Sequence, residues 1–312
     1  MNDFYANIEI RLGINDSPGI NIIKLETNRG PERYSKGTYG QSDRIVDCDT
    51  VYDVASITKL YTAALILRMV EDGRIKLDNK VSKYLDVQAF SKSSITIRDL
   101  LSHRVDFGSI LPMHRKAFPN QFRDSLLRAN IPSSSSDNIH YRNLGYIYLG
   151  YILENTTGIP IDDQMSLLFS DLGLSNTYTA ISIANRNIKC PATKTIDGIV
   201  AENVPSDESA RLHGGVAGNA GIFASAEDLA RFGLAWLDGK VVGKKVRDEA
   251  FMNHDKSGLS PQALGWWMRL KNEEKLPKGY LCHPSFTGCF IGIGIFSSAV
   301  VAITANSTFG SS

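Results

Sequence analysis

The 312-residue sequence is poor in cysteine, balanced in charge and free of long apolar runs. Its four cysteines, Cys48, Cys190, Cys282 and Cys289, form no CxxC pair, and no His/Cys cluster has zinc-ligand spacing. Reduced, structural thiols are expected, with no metal site and no cofactor motif. With 34 basic against 33 acidic residues, the formal charge is +1, which gives no basis for electrostatic capture of nucleic acid or an anionic membrane. No segment is long and apolar enough to span a bilayer, and MNDFYANIEIRLG lacks the cationic start and apolar stretch of a signal peptide. A cytoplasmic protein is the expectation, although a trimmed leader would leave the same sequence. There is no Gly-x-Ser-x-Gly elbow for an α/β-hydrolase triad. GKVVGKK lacks the Ser/Thr and spacing of a P-loop.

What is present is ordinary globular composition, 43% hydrophobic and 21% charged, enough for one large core or two linked lobes. Ile8–Ile14 alternates apolar and polar residues. A Ser-Pro-Gly break and Asn21–Thr27 follow, so a hairpin is expected there. Residues 29–50 read as polar and irregular. Ser56–Glu71 has helical periodicity with little polarity and is closed by Gly73. Thr96 and Asp99 form a capping-box pattern at the head of IRDLLSH. Tyr141–Thr157 reads as a second apolar helix closed by Gly158, with Tyr146, Tyr148 and Tyr151 in its core face. GGVAGNAG (214–221) reads as tight backbone packing ahead of a helix capped by Ser225. His213 before it is taken as structural. Gly279–His283, Cys289–Phe296 and Ala299–Asn306 read as strands. Strand signals at both ends and helices between them predict an α+β fold: an antiparallel sheet of N- and C-terminal strands. The Ser56 helix is expected to cover one face. One lobe would comprise 1–74 and 205–312 and a mainly helical lobe 75–204, with the site in the cleft between them.

Three elements carry chemistry. Ser56 and Lys59 stand three apart at the start of an apolar helix, so hydroxyl and amine share a face. A partly desolvated lysine can take a proton from a serine that is otherwise a poor nucleophile, and a helix N-terminus stabilises developing negative charge. The same spacing also describes a capping serine followed by a solvated lysine. Tyr141-Arg142-Asn143 is the second element. Tyr141 could relay a proton, and Asn143 could either enter the cleft or cap the following helix. The third is Cys282–Cys289 (CHPSFTGC), where His283 could meet a substrate or simply shape a turn.

In this order and spacing the elements resemble the serine β-lactamase and penicillin-binding protein superfamily, class C-like branch, which includes DD-peptidases, D-aminopeptidases and esterases. SITIRDLLSHRVDFG, YRNLGYIYLGYILENTTGIP and HGGVAGNAGIFASAEDLARFG are similar to segments of that branch. The resemblance implies a serine hydrolase in which Ser56 is acylated, Lys59 activates it and Tyr141 is general base and relay. Asn143, His283 and Ser285 would contact substrate, and the backbone N–H groups of Ser56 and Phe286 would form the oxyanion hole. It implies a small ester, amide or peptide substrate. D-aminopeptidase or DD-peptidase activity, or a catalytically weak penicillin-binding sensor, are the alternatives. The departures are Pro284-Ser285 in the third motif, the absence there of the usual lysine for a β-lactam carboxylate, and HRVDFG where HTSG is usual. Thr287-Gly288 offers a second register for that motif, and His103 is taken as structural.

Overall fold

A computed structural model describes residues 2–26, 29–193, 195–196, 199–200, 202–269 and 279–309. The strands are β1 (Gly19–Glu26), β2 (Arg29–Gly37), β3 (Tyr52–Asp53), β4 (Thr177–Thr179), β5 (Thr195–Ile196), β6 (Ile199–Val200), β7 (Ile222–Ala224), β8 (Trp267–Arg269), β9 (Tyr280–Pro284), β10 (Phe290–Gly294) and β11 (Ala299–Ala305). The helices are α1 (Asn2–Leu12), α2 (Thr58–Glu71), α3 (Ile97–Leu101), α4 (Ile110–Ala117), α5 (Phe122–Leu127), α6 (Asn143–Thr157), α7 (Ile161–Asp171), α8 (Ala180–Arg186), α9 (Glu208–Leu212), α10 (Ala226–Leu237) and α11 (Lys244–Ala250).

Six antiparallel strands form the main sheet in the order β2-β1-β11-β10-β9-β8. N- and C-terminal strands therefore meet, as expected: β1 pairs with β11 from Ile20 opposite Ala305 to Glu26 opposite Ala299. The first expected strand, Ile8–Ile14, is instead the end of helix α1. Asn2–Leu12 contains neither glycine nor proline. Tyr5 and Glu9, four apart, are buried, whereas Ile10 is exposed, so the burial follows a helical period and not an alternating one. Gly13, at φ 65°, ends the helix in the left-handed conformation. The hairpin partner of β1 is β2, drawn from the stretch read as irregular. Strand β2 is an edge, largely exposed and rich in charge, which suits an edge strand but hides it from an apolar pattern. Thr27, the last residue of the second expected strand, lies outside the described residues.

One face of the sheet carries α1, with Tyr5 stacked on Tyr34 of β2 at 4.8 Å; the other carries α10 and not, as expected, the helix following Ser56. Gly233 makes this close: a Cβ there would stand 2.7 Å from Val300 and 3.0 Å from Ile293. Helix α2 lies one layer further in, with Tyr61 stacked on Phe232 of α10 at 4.0 Å between ring centres. Ten of its residues are buried, from Thr58 to Met69. Against α2 pack α6, α7 and α11. Local signals elsewhere are realised as read. Thr96 and Asp99 form a reciprocal capping box on α3, Ser225 caps α10, and Gly158 closes α6 in the left-handed conformation. Tyr146, Tyr148 and Tyr151 are buried, each with its hydroxyl bonded, to Leu101 O, Leu126 O and His213 Nε2 respectively.

The glycine-rich segment 214–221 threads between α2 and α6. The Thr62 hydroxyl donates to Gly218 O at 2.7 Å, and a Cβ on Gly218 would fall 1.9 Å from Tyr146 O. Only glycine fits, because the obstacle is helical backbone. Gly218→Ala is expected to destabilise the fold by about 1–3 kcal/mol through overpacking. Denaturant titration of the two proteins checks this; equal midpoints would mean that α6 gives way freely.

Candidate active site

Ser56 sits in a short 3-10 turn, Ala55–Ile57, that runs directly into α2. The preceding residue, Ala55, has φ 44°, a left-handed conformation unfavourable for a residue with a Cβ. Asp53 holds it there. One carboxylate oxygen accepts the Ala55 N–H at 2.9 Å and the other accepts the Ser206 N–H at 2.7 Å. Asp53 is fully buried, and burial pushes its carboxyl up while the hydrogen bonds from Ser206 and Ala55 pull it down. Its backbone carbonyl accepts the Thr287 hydroxyl at 2.8 Å. The nucleophile turn, the Ser206 segment and the C-terminal hairpin are thus tied at one residue.

Lys59 is completely buried. Its Nζ donates to Ser56 Oγ at 3.0 Å and to Asn219 O at 3.4 Å. The ammonium lies 4.9 Å from the Tyr141 ring centre and 6.0 Å from that of Tyr146. A buried cation needs such partners, since desolvation strongly disfavours an isolated charge. The arrangement is not the capping serine with solvated lysine that the spacing alone also allowed. Asn219 is itself buried, and its side-chain amide has no partner among the described residues.

Tyr141 immediately precedes the Arg142 N-cap of α6 and is half-buried. Around its ring stand His103 at 4.6 Å, Trp267 at 5.7 Å and His283 at 6.1 Å. Asn143 does not cap α6: its amide donates to Asp207 Oδ2 at 3.2 Å. The other oxygen of Asp207 caps α9 through the Ala210 N–H at 2.9 Å.

CHPSFTGC forms the end of β9 and the tight turn that leads into β10. His283 pairs with Ile291 across that hairpin. Pro284 needs an unpaired N–H position. It has one at the end of β9, beyond Cys282, the last β9 residue that β8 pairs. Ser285 turns its hydroxyl into the hairpin, 2.9 Å from Thr287 Oγ1, where it also accepts the Cys289 N–H at 3.1 Å. Phe286 is at the tip, 69% exposed. Thr287, weighed in the sequence only as part of a second register, is fully buried and is the residue that fastens the hairpin to Asp53.

His283 is fully buried; its Nδ1 lies 2.7 Å from Pro284 O, so Nδ1 carries the proton and donates. Burial, and next the charge of Lys59, push this imidazole down to about 3. His103 is likewise pushed well below the usual histidine range by burial, then by Lys59 and His283. Both rings are therefore neutral at pH 7. Lys59 is the cation beside Tyr141, since Arg142 turns back to Tyr141 O and to Asp106. His213 bonds Tyr151 and Ser209 O away from this centre. Asp53, Asp207 and Asn219 belong to none of the motifs singled out in the sequence, and Thr287 stood there only as part of a second register. A lone acid in the apolar run VYDVAS was the available signal for Asp53.

Comparison with known proteins adds the following. A family model described as Beta-lactamase matches residues 27–312. The chain is 25% identical over 262 residues to a protein of Escherichia coli O157:H7, provisionally named a D-alanyl-D-alanine carboxypeptidase; the match covers 71% of this chain and 60% of that protein. The chain thus spans well under two thirds of that relative's length. The β-lactamase/D-alanine carboxypeptidase of Pseudomonas syringae superimposes with TM-score 0.79 at 18% identity, over 98% of this chain and 94% of that one. The D-amino acid amidase of Ochrobactrum anthropi SV3 does so with TM-score 0.70 at 18% identity, over 98% and 90%. At these identities the structural likeness speaks for the fold. Among the described residues, no helix is long and apolar enough to cross a membrane.

The depressed histidine has a measurable consequence. An unfolded His283 titrates near 6.5 and the folded ring at about 3, so between these values the unfolded chain binds the extra proton. The contribution is complete above pH 6.5, is lost as pH falls toward 3, and reaches on the order of 4 kcal/mol at full extent. His283→Asn should lose less stability than the parent between pH 7 and pH 4 in denaturant titrations; parallel curves would count against a buried neutral ring.

Proposed function

From the premise that this chain belongs to the β-lactamase family, we propose that it is a serine hydrolase that cleaves an ester or amide through an acyl-enzyme on Ser56. The observation that carries this reading is the 3.0 Å contact between Lys59 Nζ, wholly buried, and Ser56 Oγ. A nucleophile and a basic group within hydrogen-bond reach, the latter further oriented by Asn219 O, is the arrangement an activated serine requires.

In the reaction, Ser56 Oγ attacks the carbonyl carbon and its proton passes to Tyr141 Oη, the general base in its phenolate form beside the Lys59 ammonium. That ammonium is held by Asn219 O and the faces of Tyr141 and Tyr146. Negative charge moves to the carbonyl oxygen, which the N–H groups of Ser56 and Phe286 stabilise. Thr287 favours this role for Phe286, because it fastens the hairpin carrying Phe286 to the strand that precedes Ser56. Tyr141 delivers a proton to the departing oxygen or nitrogen. Water then attacks the Ser56 ester, its proton returns through Tyr141 and Lys59, and the free acid leaves with Ser56 restored.

A second reading of the substrate has its own support. His283 presents a neutral ring whose proton is committed to Pro284 O, so it cannot act as a cationic anchor for a substrate carboxylate. Asn143, two residues beyond Tyr141, meanwhile holds the Asp207 carboxylate, a partner suited to a substrate ammonium. This favours amides of D-amino acids, the substrate class named for the Ochrobactrum neighbour, over peptides ending in a free carboxylate. The exposed Phe286 ring offers an apolar rim for an ester acyl group.

A fluorophosphonate or labelled penicillin is expected to attach to Ser56 and not to Ser56→Ala, read by mass spectrometry of the labelled peptide. Lys59→Met and Tyr141→Phe should each slow nitrophenyl-ester hydrolysis by about 10²–10⁴-fold, the usual contribution of a proton-transfer group. An unlabelled Ser56 together with no turnover of esters or amides would sink the reading. In a paired panel, D-amino acid amides should be cleaved and the corresponding peptides with free carboxylates should not.

A further inference from the structure

We propose that His103 is a positioning residue for Tyr141, fixing the phenol from behind through its backbone, its ring nitrogen and its ring face. The inference rests on the reading of Tyr141 as the proton relay.

His103 lies two residues beyond α3, buried, with φ 58°. A side-chain-bearing residue in the left-handed conformation persists only where its surroundings impose it, and such positions concentrate at functional sites. Here the conformation lets three groups of one residue meet a single segment. The carbonyl of His103 accepts the His140 N–H at 2.7 Å. Its Nδ1 accepts the Arg142 N–H at 3.5 Å. Its ring lies against the ring of Tyr141, 4.6 Å between centres, with Tyr146 at 5.0 Å on the imidazole. The two residues flanking Tyr141 are thus bonded to the residue that Tyr141 stacks on. Displacing the Tyr141 segment from His103 would break these contacts.

The next residue extends the tie. Arg104 O accepts the Ser136 N–H at 2.7 Å, and Arg104 Nε donates to Ser136 O at 3.0 Å. Arg104 is itself buried and paired with Asp99 at 3.3 Å. Residues 136–142 are therefore laced along His103-Arg104, with Tyr141 between the last two ties. A ring that merely filled the core would need neither the left-handed backbone nor an acceptor at Nδ1. Because Nδ1 accepts, the imidazole proton stays on Nε2 and the ring is neutral, so it adds no repulsion to the buried Lys59 ammonium.

Two variants separate the parts. Asparagine tolerates the left-handed conformation and offers Oδ1 near the place of Nδ1, so His103→Asn keeps both backbone ties and removes the ring. His103→Phe keeps a ring and removes the acceptor. Each is expected to lower kcat for a nitrophenyl ester by about tenfold or more, as a displaced catalytic group does. KM should stay within about twofold, and in a Tyr141→Phe background neither variant should change kcat by more than about twofold. Equal losses in both backgrounds would overturn the proposal in favour of a general structural role. Fluorine NMR of protein labelled with 3-fluorotyrosine reads the position without catalysis. The Tyr141 resonance, assigned by its loss in Tyr141→Phe, should shift or broaden in His103→Asn while the tyrosines other than Tyr146, which also lies against the His103 ring, hold. An unmoved resonance would also overturn the proposal. If the parent protein never acylates Ser56, the hydrolase reading fails on its own, and the fluorine spectra still decide whether His103 positions Tyr141.

Discussion

The candidate centre depends on the buried carboxylate of Asp53. It lies at the end of a two-residue strand, yet its two oxygens and its carbonyl reach the nucleophile turn, the Ser206 segment and the C-terminal hairpin. Each of these supplies a different part of the site. The turn presents Ser56 and the hairpin presents His283 and Phe286. The Ser206 segment brings Asp207, which in turn holds Asn143. A buried carboxylate is costly unless its acceptors are filled, and the backbone N–H groups of Ala55 and Ser206 fill them. The same bonds hold Ala55 in a conformation its Cβ resists. The strain and the buried acid support one another, so neither could be relaxed alone without moving Ser56.

Around this junction the charges are few and their partners are fixed. Lys59 has no solvent, but it has a hydroxyl, a carbonyl and two aromatic faces. The two imidazoles near it are neutral, because burial and the lysine's own charge together oppose a second cation. The two rings are thereby held neutral over the neutral range, which in the proposed reaction leaves proton movement to Ser56, Lys59 and Tyr141. The glycine-rich segment completes the enclosure. It presents two successive carbonyls, Gly218 to Thr62 and Asn219 to Lys59, and passes so close to α6 that no side chain fits at Gly218.

What the sequence made legible was local. Ser56 and Lys59 are one helical turn apart, so their spacing alone places hydroxyl and amine together. Capping at Thr96 and Ser225 and the stop at Gly158 are written in adjacent residues. The C-terminal strands are apolar on a sheet buried under α10, so their composition betrays them. What stayed hidden depends on partners far away. Strand β2 is polar because it is an edge, and α1 imitates a strand because its Ile8, Ile10 and Leu12 fall at alternate positions. Which of α2 and α10 lies on the sheet is decided by Gly233 meeting Val300, which no window of sequence contains. Asp53 and Thr287 take their meaning from each other's position. His103 reads as one more histidine until its left-handed φ and its two backbone partners are seen.

The ties at Asp53 also bear on when the centre can exist. Asp53 joins Ser206 across 153 residues and Thr287 across 234. Contacts of such separation close long loops and form only after their entropy has been met by other structure. During synthesis the Ser56 turn emerges well before Thr287, which lies 234 residues beyond Asp53. Until then the hairpin with Phe286 cannot be fastened and the Ala55 strain has only part of its support. A complete centre thus needs the chain through Thr287 in place, and a partly folded molecule carries Ser56 and Lys59 without the frame that aligns them.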